Sequence, residues 1–252
     1  MNSISDTQQY KSVCVQAAND EDFFKTFKRN PVYNGILEHV SEEQGRLYLD
    51  YIKNNSPELL DNINEFKEND KHGGTLKFNY PEIGEISPST LRYIKVLSDI
   101  KNKFGDISGK KIIEIGAGYG GQCLILSKIF NSLEYSIIDL DEASYLSNKY
   151  LSINGVDSRI VKISDVPSMD EDFDIVISNY AYSELDKNLQ DLYYERIIKR
   201  SKNGYLTYNF ISGLCNIDSY NKEEIFNKFS EKNIKILEEN PKTFEDNIII
   251  YF

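Results

Sequence analysis

Lys110-Lys-Ile-Ile-Glu-Ile-Gly-Ala-Gly-Tyr-Gly-Gly121, then an apolar helical pattern, then Tyr135-Ser-Ile-Ile-Asp139, is the stretch that decides the fold. Ile112, Ile113 and Ile115 make the short apolar run of a buried parallel strand. Glycines follow at once at 116, 118, 120 and 121. From Gln122 to Phe130, Leu124, Ile125, Leu126 and Ile129 fall near helical spacing, and the second strand, Tyr135 to Ile138, ends in Asp139. The pattern predicts one βαβ half of a nucleotide-binding fold, with a tight glycine turn and an acid at the tip of the second strand.

That turn limits the ligand. Glycines let a ligand lie against the main chain, and an acid at the strand end can accept from both ribose hydroxyls. Gly116, Gly118 and Gly121 satisfy G-x-G-x-x-G, so a dinucleotide and S-adenosylmethionine both remain open. Glu114 separates them. An acid two places before the first glycine suits a ligand with an ammonium nearby and repels a pyrophosphate. The bland reading of such a strand-end acid is a solvated or lysine-paired carboxylate.

Working outward, the remaining chain bounds the function. It has 252 residues, enough for one sizeable domain with an appendage or for two small ones. Its net charge of −11 argues against general binding to nucleic acid or anionic membrane. Cys14, Cys123 and Cys215 are odd in number and far apart, giving neither a disulfide framework nor a zinc spacing; a reducing cytoplasm is expected. Met1 to Cys14 is polar, so no secretory signal is expected. No H-x-x-x-H pattern or Asp/Asn cluster asks for a metal, although carboxylates near the site would suit magnesium.

Residues 1 to 104 read as a helical cap or acceptor region. Ser41 is placed as an N-cap completing a capping box with Gln44. Asn69 to Ser89, rich in glycine and proline, reads as a long irregular and functional loop. Residues 105 to 252 alternate strands and helices. They close with Ile234–Leu237 and Ile248–Phe252, an antiparallel pair joined by a loop holding Pro241. The predicted class is α/β: a Rossmann-like, doubly wound, seven-stranded sheet with a reversed last strand, plus the N-terminal helices.

This layout, with Glu114-Ile-Gly-Ala-Gly-Tyr-Gly120, resembles the class I S-adenosylmethionine-dependent methyltransferases over residues 105 to 252. Glu114-Ile-Gly-Ala-Gly-Tyr-Gly-Gly-Gln122, Ser87-Pro-Ser-Thr-Leu-Arg-Tyr93 and Ser178-Asn-Tyr-Ala-Tyr-Ser-Glu184 look like the sugar O-methyltransferases of bacterial surface-glycan clusters, extending the resemblance back to Asn69. The resemblance implies S-adenosyl-L-methionine as cofactor. Glu114 and the backbone from Gly116 through Ala117 to Gly118 would hold the methionine end, Asp139 the ribose, and Leu140 the adenine face. Asp165 would accept from the adenine amino group beside Ser164 and Val166, and Asn179 and Tyr180 would surround the sulfonium.

Methyl transfer to a sugar hydroxyl needs alignment, exclusion of water and a base. Glu184, just after the fourth strand, and His72, in the glycine loop before the sheet, are the base candidates. Glu184 could instead be an acid favoured at a helix N-terminus, and His72 a surface histidine. Asp186 ranks lower, as an N-cap, and His39 is expected to be structural or exposed. Tyr119, Tyr180 and Tyr182 are candidates to stack on a sugar or shield a sulfonium, though aromatics at strand ends often merely pack. Arg92, beside Tyr93, would meet a phosphate on a nucleotide-linked sugar or form a surface ion pair, and Asn209 would wall the acceptor pocket. The expected function is O-methylation of a sugar, or of a sugar-linked group such as a capsule phosphoramidate, with a small-molecule partner. The N-terminal helices would supply the acceptor pocket or a homodimer surface. The alternatives are an NAD(P)-dependent oxidoreductase, against which Glu114, the closing hairpin and the lack of a Tyr-x-x-x-Lys pair stand, and a non-catalytic binding module.

Overall fold

Ile112 and Ile113 are both fully buried although successive strand side chains face opposite ways, so the sheet that holds them is covered on both faces. The structure, a computed structural model, describes residues 3 to 252. Strands β1 (Phe78–Tyr80) and β2 (Gly84–Ile86) form a small antiparallel hairpin. Strands β3 (Lys111–Ile115), β4 (Glu134–Ile138), β5 (Arg159–Val161), β6 (Phe173–Asn179), β7 (Ser201–Tyr208), β8 (Lys235–Glu238) and β9 (Ile248–Tyr251) build one seven-stranded sheet in the order 5-4-3-6-7-9-8. All neighbours are parallel except β9, which runs antiparallel to β7 and to β8. The chain winds outward from β3 through β4 to β5, then returns to β6 on the other side of β3. This order makes the β3/β6 boundary the topological switch point, where open α/β sheets bind ligands at their carboxyl edge.

The alternation sorts the core into two halves. Ile112, Ile137, Ile175, Ile177 and Tyr205 join helices Pro88–Phe104, Gly121–Ser127 and Asp141–Ile153 on one face. Ile113, Ile115, Ile138, Val176 and Leu206 join the segments Lys187–Ile198 and Lys222–Lys228 on the other. Each buried isoleucine contributes about 1.5–3 kcal/mol. The N-terminal helices share the first half: Tyr10, Phe24, Phe27, Tyr48, Ile52 and Phe66 are in the same cluster as β3 and β4. A buried ion pair fixes this layer. Lys95 Nζ lies 2.8 Å from Asp99, which also accepts from the Tyr51 and Tyr205 hydroxyls at 2.7 and 2.8 Å. Those extra donors satisfy the carboxylate that burial would otherwise leave costly.

Several expectations change. Asn69 to Ser89 is not irregular throughout: the β1–β2 hairpin turns at Pro81–Ile83, and the buried Asp70 carboxylate accepts from Ser87 N, Ser87 Oγ and Thr90 Oγ1 at 2.6–2.7 Å, fixing the start of the Pro88 helix. Ser41 does cap its helix, accepting from Gln44 N at 3.1 Å, but the Gln44 amide reaches across to Lys242 O instead of closing a capping box. Among the described residues no helix is long and apolar enough to cross a membrane.

Candidate functional site

At the carboxyl ends of β3, β4 and β6 lies a cavity of about 940 Å³. That is near the upper end of the roughly 300–1,000 Å³ typical of ligand sites. Its floor is the turn after β3. Gly116 and Gly118 have φ of +75° and +58°, a region that favours glycine. An added Cβ at Gly116 would sit 2.0 Å from Ala181 Cβ, and one at Gly118 would sit 2.7 Å from Leu37 Cδ1. The loop is therefore pressed between the turn after β6 and the N-terminal segment.

Two acids face the cavity, and one of them holds this loop. Asp139, ending β4, accepts from Gly118 N at 2.8 Å and Leu140 N at 2.7 Å. Burial pushes its carboxyl up to about 6, against the pull of those two backbone donors. Glu114 is 2% exposed and accepts from the Tyr135 hydroxyl at 2.8 Å. Burial pushes it up to about 8; the tyrosine pulls it down and Asp139 adds to the rise. Among the described residues no cation pairs with Glu114 to offset that burial.

Asn179 ends β6 next to this loop and lines the cavity, yet its buried amide nitrogen and oxygen both lack hydrogen-bond partners. An unsatisfied buried amide costs about 1–3 kcal/mol per lost bond, so it marks a place for a polar ligand. Tyr180 follows at φ +65°, rare for a tyrosine, held by its N–H to Thr207 O at 3.0 Å and by its hydroxyl, which donates to Glu239. The cavity wall also holds Glu184, whose Oε1 accepts from Asn209 Nδ2 at 2.7 Å. Burial raises its pKa and the Asn209 bond partly offsets this. Asn209 is itself fixed by Ser183 Oγ, at 3.1 Å to its Oδ1 and 3.2 Å to its N–H, so Glu184 is held in one orientation.

The structure brings Glu114, Gly116, Ala117, Gly118, Asp139, Leu140, Ser164, Asn179, Tyr180, Glu184, Asn209 and Arg92 to one cavity. Four others do not line it. Tyr119 is fully buried behind the loop, its hydroxyl accepting from Asn69 Nδ2 at 3.1 Å and its ring facing Lys28 Nζ at 3.8 Å. Tyr182 is fully buried and donates to Gln190 O at 3.0 Å, so it packs in the core. His72 does not overhang the cavity; its ring packs against Phe24 and Tyr150, with centroids 5.8 and 6.3 Å away. Asp165 is exposed, turned to Ser164 Oγ at 3.2 Å, and only Ser164 and Ile163 of that turn line the site; Val166 is buried in the core. Asp186 is the N-cap expected of it, accepting from Leu189 N at 2.9 Å.

Sequence reading missed the walls contributed from far along the chain. His39, set aside as structural or exposed, lines the cavity; burial, then Arg92, lowers its pKa, so it is neutral at pH 7. Gln44, Tyr48, Phe244 and Asn247 also line it. No local pattern marks these residues, because only tertiary packing brings them to the sheet edge.

Comparisons with known proteins agree with this geometry. No family model matches the chain. It is 26% identical over 107 residues to a probable phthiotriol/phenolphthiotriol dimycocerosates methyltransferase of Mycobacterium ulcerans, and 28% identical over 108 residues to a fatty-acid O-methyltransferase of Mycolicibacterium smegmatis. Each match covers 41% of this chain and 40% or 38% of the relative, so the chain spans about two-fifths of the length of the relatives it matches. Geranyl diphosphate C-methyltransferase of Streptomyces coelicolor, solved with S-adenosyl-L-homocysteine, superposes with a TM-score of 0.51 at 13% identity, covering 66% of this chain and 77% of that one. The fold is the Rossmann-like methyltransferase fold.

Proposed function

We propose that this chain is an S-adenosylmethionine-dependent O-methyltransferase whose acceptor is a sugar or a sugar-linked group, such as a capsule phosphoramidate, in surface-polysaccharide synthesis. The observation that carries the cofactor choice is Glu114: a buried acid without a cation, facing the cavity at the switch point. An ammonium there would restore the charge that burial disfavours, a partner that a pyrophosphate does not supply. The unpartnered Asn179 amide and the paired Asp139 oxygens give such a ligand further partners. An NAD(P)-dependent oxidoreductase fits this arrangement less well. A silent binding module gives no account of the buried Glu184.

S-adenosylmethionine, when bound, supplies a methyl group on a good leaving group. The chain's task is then alignment and proton removal. Glu184, held by Asn209, takes the proton of the acceptor hydroxyl; its raised pKa makes it a stronger base than an exposed carboxylate. Tyr180 and Asn179 wall the transfer point, and Leu140 packs where an adenine would lie. Val40, Ser41 and Gln44, from the N-terminal region, line the same cavity and close it against water. Sugar as acceptor rests on the polar walls (Gln44, Asn209, Thr243, Asn247) and on the three sequence matches quoted above. Nucleotide-linked sugars would place the reaction in the cytoplasm.

A second reading is an apolar acceptor. Ile36, Leu37, Val40, Leu185, Ile211 and Phe244 also line the cavity, and two relatives carry names of lipid methyltransferases. Incubation with methyl-labelled S-adenosylmethionine and a panel of nucleotide sugars and fatty acids separates the two. Label on a nucleotide sugar supports the first reading. Label only on fatty acids replaces it with the second, and NADH oxidation without label transfer overturns both.

A further inference from the structure

Arg92 is a cation of the cavity wall that has no carboxylate partner among the described residues. Lys11, the lysine of the same wall among the described residues, is paired with Asp6 at 2.5 Å. Arg92 makes one hydrogen bond, from Nη2 to Leu37 O at 3.1 Å, which leaves most of its five donors unused. Glu38 acts on it only through space, with its carboxylate accepting from Thr75 Oγ1 at 2.8 Å. An arginine so placed in a folded interior ordinarily has an anion to hold.

Its position says which one. Leu37, whose carbonyl it holds, lies on Gly118, and Tyr93, the next residue, lies over Gly121: an added Cβ there would be 2.5 Å from the Tyr93 ring. Arg92 therefore stands against the glycine loop. It shares a narrow recess with Tyr48, Asn179, Tyr180 and Glu239. The Tyr48 hydroxyl is buried without a partner in hydrogen-bonding geometry, and so is the Asn179 amide. Glu239 is already occupied, accepting from the Tyr180 hydroxyl, Thr243 and Asn247 Nδ2. Arg92, Tyr48 and Asn179 thus offer unspent donors at one point, and across the same cavity Glu114 offers an unspent acid. An arginine without a carboxylate partner and a buried acid at the first glycine of the loop together complement a zwitterion.

We propose that Arg92, assisted by the Tyr48 hydroxyl and the Asn179 amide, holds the carboxylate of the cofactor's amino-acid end while Glu114 takes its ammonium. This reassigns Arg92 from the acceptor to the cofactor, and it rests on the methyltransferase reading. The bidentate fork of arginine matches a carboxylate, and such charge-assisted bonds are among the strong ones.

Calorimetry with two nucleosides tests it. S-adenosylhomocysteine has the amino-acid end; 5′-methylthioadenosine lacks it but keeps the adenosine and sulfur. The wild-type chain binds the first more tightly than the second. Arg92→Met weakens S-adenosylhomocysteine about ten- to a hundredfold and leaves methylthioadenosine within about twofold. Tyr48→Phe gives a smaller loss with the same selectivity. If Arg92→Met weakens both ligands alike, Arg92→Lys decides: a loss confined to S-adenosylhomocysteine supports the assignment, and an equal loss overturns it. Unchanged affinity of Arg92→Met for S-adenosylhomocysteine overturns it as well. Equal affinity of the wild type for both compounds overturns this inference alone, whereas binding of neither overturns the methyltransferase reading with it.

Discussion

The Asp139 carboxylate accepts the backbone N–H of Gly118 at 2.8 Å, tying the tip of β4 to the loop after β3. The same carboxylate is the proposed ribose acceptor. Asp139→Ala leaves the Gly118 and Leu140 N–H groups without their acceptor and removes the ribose partner together. The expected result is a loss of S-adenosylhomocysteine affinity of about tenfold or more by calorimetry, with Asp139→Asn, which keeps one acceptor oxygen, losing less. Wild-type affinity in the alanine variant would remove the ribose assignment.

Glu114 makes stability and binding depend on pH. An acid whose folded pKa lies above its unfolded one keeps its proton better in the folded chain. Its stabilising share is full below its ordinary value near 4.5 and is lost as pH rises to about 8. Asp139, raised to about 6, contributes the same trend at lower pH. The Tm of the wild type should therefore decline between about pH 6 and about pH 8, and Glu114→Gln should flatten that interval. Binding an ammonium beside Glu114 ionises it, so titration near neutral pH in buffers of different ionisation heat should show proton release that the variant lacks. Parallel Tm profiles for the two chains would contradict the placement of this acid.

The close approach of Gly116 to Ala181 can be isolated from its backbone conformation. Gly155 also has positive φ, +69°, but an added Cβ there meets nothing within 4 Å, whereas at Gly116 it meets Ala181 Cβ at 2.0 Å. Gly116→Ala should be less stable than Gly155→Ala by about 1–3 kcal/mol, the usual cost of overpacking. Denaturant midpoints of the two variants check this; equal midpoints would mean the turn after β6 yields freely.

Glu184→Gln should lower turnover on the accepted substrate by about 10²–10⁴-fold while S-adenosylhomocysteine affinity stays within about twofold. In the wild type the acid limb of the pH–rate profile should lie above the ordinary glutamate range, because only the ionised carboxylate takes a proton and burial holds its pKa up. His72→Ala should turn over like wild type, since its ring packs on Phe24 and Tyr150. A fully active Glu184→Gln would end its role as base.

What was legible in the sequence was local. The isoleucine run, the glycines and Asp139 specify a strand, a turn and a strand end within thirty residues, and the cavity wall that they form follows from them. Side-chain direction after a strand was not legible. Tyr182 falls in a short 3₁₀ turn that rotates it into the core, while Tyr180, two residues earlier and at positive φ, lines the cavity. Tyr119 sits within the glycine motif itself but points backwards, onto Lys28 and Asn69. Of the two histidines, the glycine-rich surroundings favoured His72, and tertiary packing put His39 at the site instead. The hairpin of β1 and β2 hid in a stretch whose prolines and glycines read as loop, since strands of three residues carry too little alternation to register.

The most direct test is a crystal structure of the chain with S-adenosylhomocysteine bound. The account predicts the ligand at the carboxyl edge between β3 and β6, ribose on Asp139, ammonium near Glu114, and the sulfur toward Asn179 and Tyr180. Density for it anywhere else, or none at saturating concentration, would contradict the claim that this cavity is built for that cofactor.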